Sequence, residues 1–276
     1  MSAVAPRAPS VKKGADLHFA RDLARGAAGA LIFAVPLLMT MEMWSLGHAM
    51  DRARLALFLA SGLPLLFGLS WAVGLRPGGG WREHALETLT AVALGFGVSA
   101  AVLFGVGALR LDLPPDVWLG QVALQSVPAG VGALLARRQL GGAGRREEPR
   151  AYPAELFLMI VGALFLALNL APTEEMALIA WRIGPLQTVA LLAASLAVMH
   201  ALVFAVGFAG QEEHDRPLLA FFHFTLAGYG LVLLTCLYVL WLLGRADGQG
   251  AHEIASLAVV LGFPAGLGAA AARLLV

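Results

Sequence analysis

The chain has 276 residues, 59% hydrophobic and 13% charged, with a formal net charge of +1. A soluble domain carries about 25% charged residues, so a water-soluble fold of this size would expose too much apolar surface, and near-neutrality gives no basis for a nucleic-acid partner. The apolar runs are about twice as long as a barrel strand and do not alternate, which excludes a transmembrane β-barrel and leaves an all-α membrane protein embedded in the lipid bilayer.

Residues 1–25 read as a Pro/Ala-rich cytoplasmic tail and a short interfacial helix. Leu17, Ala20, Leu23 and Ala24 can lie on the membrane surface while Lys12, Lys13, Arg21 and Arg25 face headgroups. About eight transmembrane helices are expected, at 27–48, 55–75, 86–109, 117–136, 156–178, 186–209, 218–243 and 254–273. Breakers separate them, among them "RPGGG" at 76–80, "LPPD" at 113–116 and "GRADGQG" at 244–250. The longest, "GGAGRREEPRAYP" at 141–153, reads as a cytoplasmic linker between a first half, 26–140, and a second half, 154–276. With the N-terminus inside, fourteen Lys and Arg fall on the cytoplasmic side and five outside, so both termini are expected in the cytoplasm.

The halves match. "GALIFAVPLLMTMEM" (29–43) aligns with "GALFLALNLAPTEEM" (162–176), pairing Gly29 with Gly162, Thr40 with Thr173 and Glu42 with Glu175. The same offset pairs "GFG" at 95–97 with "GYG" at 228–230, and a slightly larger one pairs "PAGVGALLAR" (128–137) with "PAGLGAAAAR" (264–273). Each half holds an even number of spans, which predicts two parallel four-helix repeats related by an axis along the membrane normal.

Two glutamates follow from this. If residues 27–48 are one helix, Glu42 lies about 24 Å above Gly26 at 1.5 Å per residue, inside the outer part of the hydrocarbon core. A charge there costs at least about 2.5 kcal/mol near the centre and usually faces a cavity or the bundle interior. Pro36 and Pro172 precede the glutamates and free backbone carbonyls. Glu42 and Glu175, with Thr40, Thr173 and Asn169 as neutral oxygens and Glu174 as a charge at the mouth, make a hard oxygen set for a small cation or proton. The bland alternative is that these carboxylates reach the outer headgroups.

His200 and His223 stand in apolar runs, as packing residues or as a proton relay. Gln121 and Gln125, one turn apart, read as interhelical glue. Ser70, Ser99, Ser195 and Thr225 are expected to bond back to their own helices. Gly262, Gly266 and Ala270, matched by Ser126 and Gly130, form a small-residue face for packing between the halves or in a homodimer. Arg137 and Arg273 read as cytoplasmic anchors. Cys236 is the single cysteine, so no internal disulfide is possible. No phosphate loop, C-x-x-C or H-E-x-x-H occurs, so no cofactor is expected. "GFG" and "GYG" lack the preceding Thr-Val of a potassium filter.

"PLLMTMEMW" and "NLAPTEE", with about eight spans in two halves, resemble an uncharacterised bacterial family of integral membrane proteins with a domain of unknown function. The resemblance runs from about residue 20 to the end. It implies a multi-pass protein of the bacterial inner membrane, often encoded beside a small single-span protein, and no known activity. "APTEE" also looks like the Pro-Glu core of cation/calcium exchanger repeats, which are inverted rather than parallel. "EEMALIAWR" with His200 and His223 looks faintly like intramembrane prenyl-protein proteases, but Ile179 and Leu219 stand where that pattern has Arg and Phe. The leading expectation is therefore a cation or proton transporter or channel and not an enzyme. The alternatives are a non-transporting scaffold for a single-span partner and an intramembrane hydrolase.

Overall fold

The computed structural model describes residues 10–73, 79–110, 112–139, 152–205 and 225–275. Among these residues the chain forms helices and no strand. In chain order they are α1 (Ser10–Leu38), α2 (Met41–Ala49), α3 (Arg52–Val73), α4 (Trp81–Gly105), α5 (Pro115–Gln139), α6 (Tyr152–Leu170), α7 (Glu174–Arg182), α8 (Pro185–Ala205), α9 (Ala227–Leu242) and α10 (Ala251–Leu275). The protein is an all-α multi-pass membrane protein. Six of these helices are long and apolar enough to cross a bilayer, and a seventh span results if α1 and α2 count as one broken helix. The expected eight are not reached among the described residues, because α9 is only 16 residues long there and the stretch before residue 225 lies outside them.

The expected first span, 27–48, is not one helix. It ends at Leu38, and α2 leaves at 87°. The expected fifth span, 156–178, likewise ends at Leu170 before α7 begins. At the other end, the stretch expected to lie on the membrane surface runs without a break into α1.

The helices form two sub-bundles, α1–α5 and α6–α10, built alike. In each, the last helix is the centre. α5 packs against α1, α2, α3 and α4, and α10 against α6, α7, α8 and α9. The close approach that seats the first helix on the centre is the same in both. A Cβ on Gly29 would lie 2.4 Å from the carbonyl oxygen of Gly132, and one on Gly162 would lie 2.1 Å from that of Gly268. Only glycine tolerates such backbone contact. The small-residue faces are thus used inside each half. Gly262 and Gly266 meet Tyr229 rather than the other half. The halves touch through α1, α3 and α5 on one side and α6 and α9 on the other, with Phe33 and Phe165 in ring contact at 5.0 Å.

α4 and α9 also end alike. Gly107 and Gly244 both adopt positive φ, 75° and 74°, and the next amides, of Ala108 and Arg245, bond the carbonyls of Leu103 and Leu240. This is a glycine-terminated helix end. It pairs Ser99 with Cys236 and Gly95 with Val232, so the "GFG"–"GYG" match is one helical turn out of register.

Candidate functional site: two corners and a polar core

Each corner is made by a threonine. Thr40 and Thr173 take extended backbone at the N-caps of α2 and α7, which are nine residues each. Their hydroxyls do not cap the new helix. They donate backward to the carbonyls of Leu37 (2.9 Å) and Leu170 (2.8 Å), which the break has deprived of helical partners. The corners differ in their second tie. The Trp44 indole N–H donates to the Leu38 carbonyl at 2.8 Å, whereas the Arg245 guanidinium donates to the Pro172 carbonyl.

Glu42, Glu174 and Glu175 therefore sit in the first turns of short helices, where acidic groups favour the positive helix end. Glu174 and Glu175 are exposed and Glu42 is half-buried. The expected inward-facing pair depends on a helix that continues past residue 40, and the chain turns there instead. Asn169 donates to the Phe165 carbonyl on its own helix at 2.7 Å. Among the described residues no group of three His, Cys, Asp or Glu side chains is placed to hold a metal ion. His200 bonds Thr225 at 2.8 Å, and His223 and the preceding turn to which Thr225 was expected to bond back lie outside the described residues.

Several buried polar groups that sequence reading undervalued lie in the first half. Near the end of the bundle where α4 begins, Arg137 pairs with Glu87, and both side chains are largely buried. Arg137 is thus an ion-pair partner as well as the end of its helix, and Arg273 likewise pairs with Glu155 at 2.9 Å. His84 bonds Ser70 at 3.1 Å and stacks on Trp71, so Ser70 reaches across to α4 instead of to its own helix. About 18 Å along α4 from Glu87, at 1.5 Å per residue, is Ser99, fully buried. α5 runs antiparallel to α4, and Gly95 lies against Ser126 and Gly130. That places Ser99 level with the part of α5 that carries Gln125 and Gln121.

Gln121 and Gln125 share a face of α5 with Gly132. Gln121 meets Gly47 of α2 and Gly132 meets Gly29 of α1, so Gln125 lies between these contacts, below the first corner. Gln121 works partly as expected, donating to the Trp44 carbonyl at 3.2 Å. Its Oε1, both amide atoms of Gln125 and the Ser99 hydroxyl are buried and find no partner among the described residues. Leaving a buried polar group unsatisfied costs about 1–3 kcal/mol, so these are expensive residues to keep.

The second half differs at the same places. Spacing from the Gly132–Gly268 match puts Leu257, Leu261 and Gly262 where the first half has Gln121, Gln125 and Ser126, and Tyr229, itself buried, fills the space against Gly262. Between the halves lies an apolar cavity of about 300 Å³, lined by α3, α5, α6 and α9. Ser61 and Tyr238 bond across it at 2.8 Å.

A two-part helical bundle of long apolar helices, with two amides at the centre of one part and leucines at the like positions of the other, is an integral membrane protein with unequal halves. The chain belongs to the family described as "Putative integral membrane protein (DUF2391)", which matches residues 22–276. No curated protein and no solved structure matches it.

Proposed function

We propose that the protein moves protons or another small cation across the bacterial inner membrane, and that the first half carries the path. The protein is read as eight spans in two parallel four-helix repeats with both termini cytoplasmic. The path runs from the first corner, where Glu42 and Thr40 stand at the outer mouth, past Gln121, Gln125 and Ser99 to the Glu87–Arg137 pair at the cytoplasmic end. Glu174, Glu175 and Thr173 form the matching corner of the second half, with Asn169 about one turn below them and its Oδ1 buried.

The single observation behind this reading is the inequality of like positions. The first half keeps two buried amides, Gln121 and Gln125, where the second half keeps Leu257 and Leu261, and polar groups at membrane depth mark pathways more often than packing. The scaffold alternative rests on free small-residue faces, and those faces are occupied within each half.

Flux in proteoliposomes tests the proposal. Wild-type protein passes protons, sodium or potassium down an imposed gradient. Glu87→Gln lowers that flux by about tenfold or more, the equivalent of about 1.4 kcal/mol on the barrier, and Glu175→Gln changes it little. Wild-type protein that passes none of the three under any gradient would rule the proposal out.

A further inference from the structure

We infer that Gln121, Gln125 and Ser99 hold a cluster of ordered water molecules inside the first sub-bundle, which makes a proton the species this half can pass. The second clause rests on the transport reading above; the first does not.

Donor and acceptor types at the two amides select the occupant. Two of the unpartnered atoms, Gln121 Oε1 and Gln125 Oε1, can only accept. Gln125 Nε2 can only donate, and the Ser99 hydroxyl can do either. A dehydrated cation would satisfy the acceptors and leave the Gln125 amide N–H groups facing a positive charge. An anion would do the reverse. Water both donates and accepts, and buried water typically makes about three hydrogen bonds to such groups.

The surroundings agree. Gln125 is fully buried and Gln121 nearly so, on a helix buried on almost every side. Gly47 of α2 lies against Gln121, and the Arg52 guanidinium reaches only as far as Gly120, at the corner end of α5. The Ser126 hydroxyl donates to the Ala123 carbonyl at 2.7 Å, so it has no proton left for either glutamine oxygen. The second half has Leu257 and Leu261 in place of both amides, with the Tyr229 hydroxyl, buried against Gly262, as the polar atom at that level. Along a water file each molecule accepts one proton and releases another to its neighbour, so no bond in the protein is made or broken.

A high-resolution cryo-EM map of the full chain in nanodiscs decides it. The expected result is discrete density at hydrogen-bond distance, about 2.7–3.2 Å, from the Gln125 amide. It persists when sodium and potassium are replaced by choline, and it is lost in Gln121→Leu plus Gln125→Leu, which carries the second half's residues. Should the wild-type map show the Gln125 amide bonded to protein groups with no such density, or density that requires an alkali cation, the inference is overturned. Density with no proton flux supports the water site and removes only the transport reading.

Discussion

Glycine positions in this protein carry unequal weight, and the difference can be tested residue by residue. A Cβ on Gly132 would lie 2.5 Å from the backbone oxygen of Gly29, whereas one on Gly97 would meet nothing within 4 Å. Gly132→Ala must therefore push α1 off α5, at about 1–3 kcal/mol. Gly97→Ala removes a flexible residue from an exposed helix face and should be neutral or slightly stabilising. Thermal unfolding in detergent separates the two: a lower midpoint for Gly132→Ala only is expected, and equal midpoints would contradict the packing. That the glycines pack was legible in their spacing. Which helix they pack against was not, because a small-residue face reads the same whatever backbone lies across it. The glutamines show a similar limit. Their type and spacing gave the glue reading, and only the burial of Gln125 reveals an amide without a protein partner.

At the scale of elements, the corners explain why the glutamates misled. Met41, Met43, Trp44 and Leu46 keep residues 27–48 apolar, so hydropathy alone joins α1 to α2. The signals for a break were present in Thr40 and Thr173 as N-cap types with acidic residues in the turn that follows, and in Pro172. The repeat itself was legible because Gly, Thr and Glu recur at one spacing, and the structure places those pairs at like corners. The match of α4 with α9 slipped a turn because two glycines flanking an aromatic are common in packed helices. The Trp44 indole is the tie specific to the first corner. Trp44→Phe removes its hydrogen bond to the Leu38 carbonyl and should cost about 1 kcal/mol, read as a lowered unfolding midpoint. An unchanged midpoint would mean that the bend is held by the Thr40 contact and the packing of Met43 alone.

Across the whole molecule, the two halves are linked at the corner end by Arg54. Its guanidinium makes paired hydrogen bonds to Asp247, at 2.7 and 2.9 Å, and lies over the Trp241 ring at 5.1 Å. The hydrogen bond from Arg54 holds the Asp247 carboxyl below the usual aspartate range. A depressed carboxyl stabilises the folded state above its unfolded pKa, about 3.9, and loses that contribution as pH falls through its folded value. The melting difference between wild type and Asp247→Asn should thus be constant from neutral pH to about 5 and close only below about pH 4. A difference that closes near pH 6 would place the link elsewhere. This joint between unlike halves was invisible in the sequence, since Arg54 and Asp247 are far apart along the chain and each reads as an ordinary loop charge.

The measurement that bears most directly on a proton path past Gln121 and Gln125 is proton flux into proteoliposomes under an imposed pH gradient, wild type against Gln121→Leu plus Gln125→Leu. The variant's two leucines already stand at the like positions of the second half. Wild-type flux that falls to the protein-free rate in a folded variant is the predicted result. Equal flux from both proteins would contradict it.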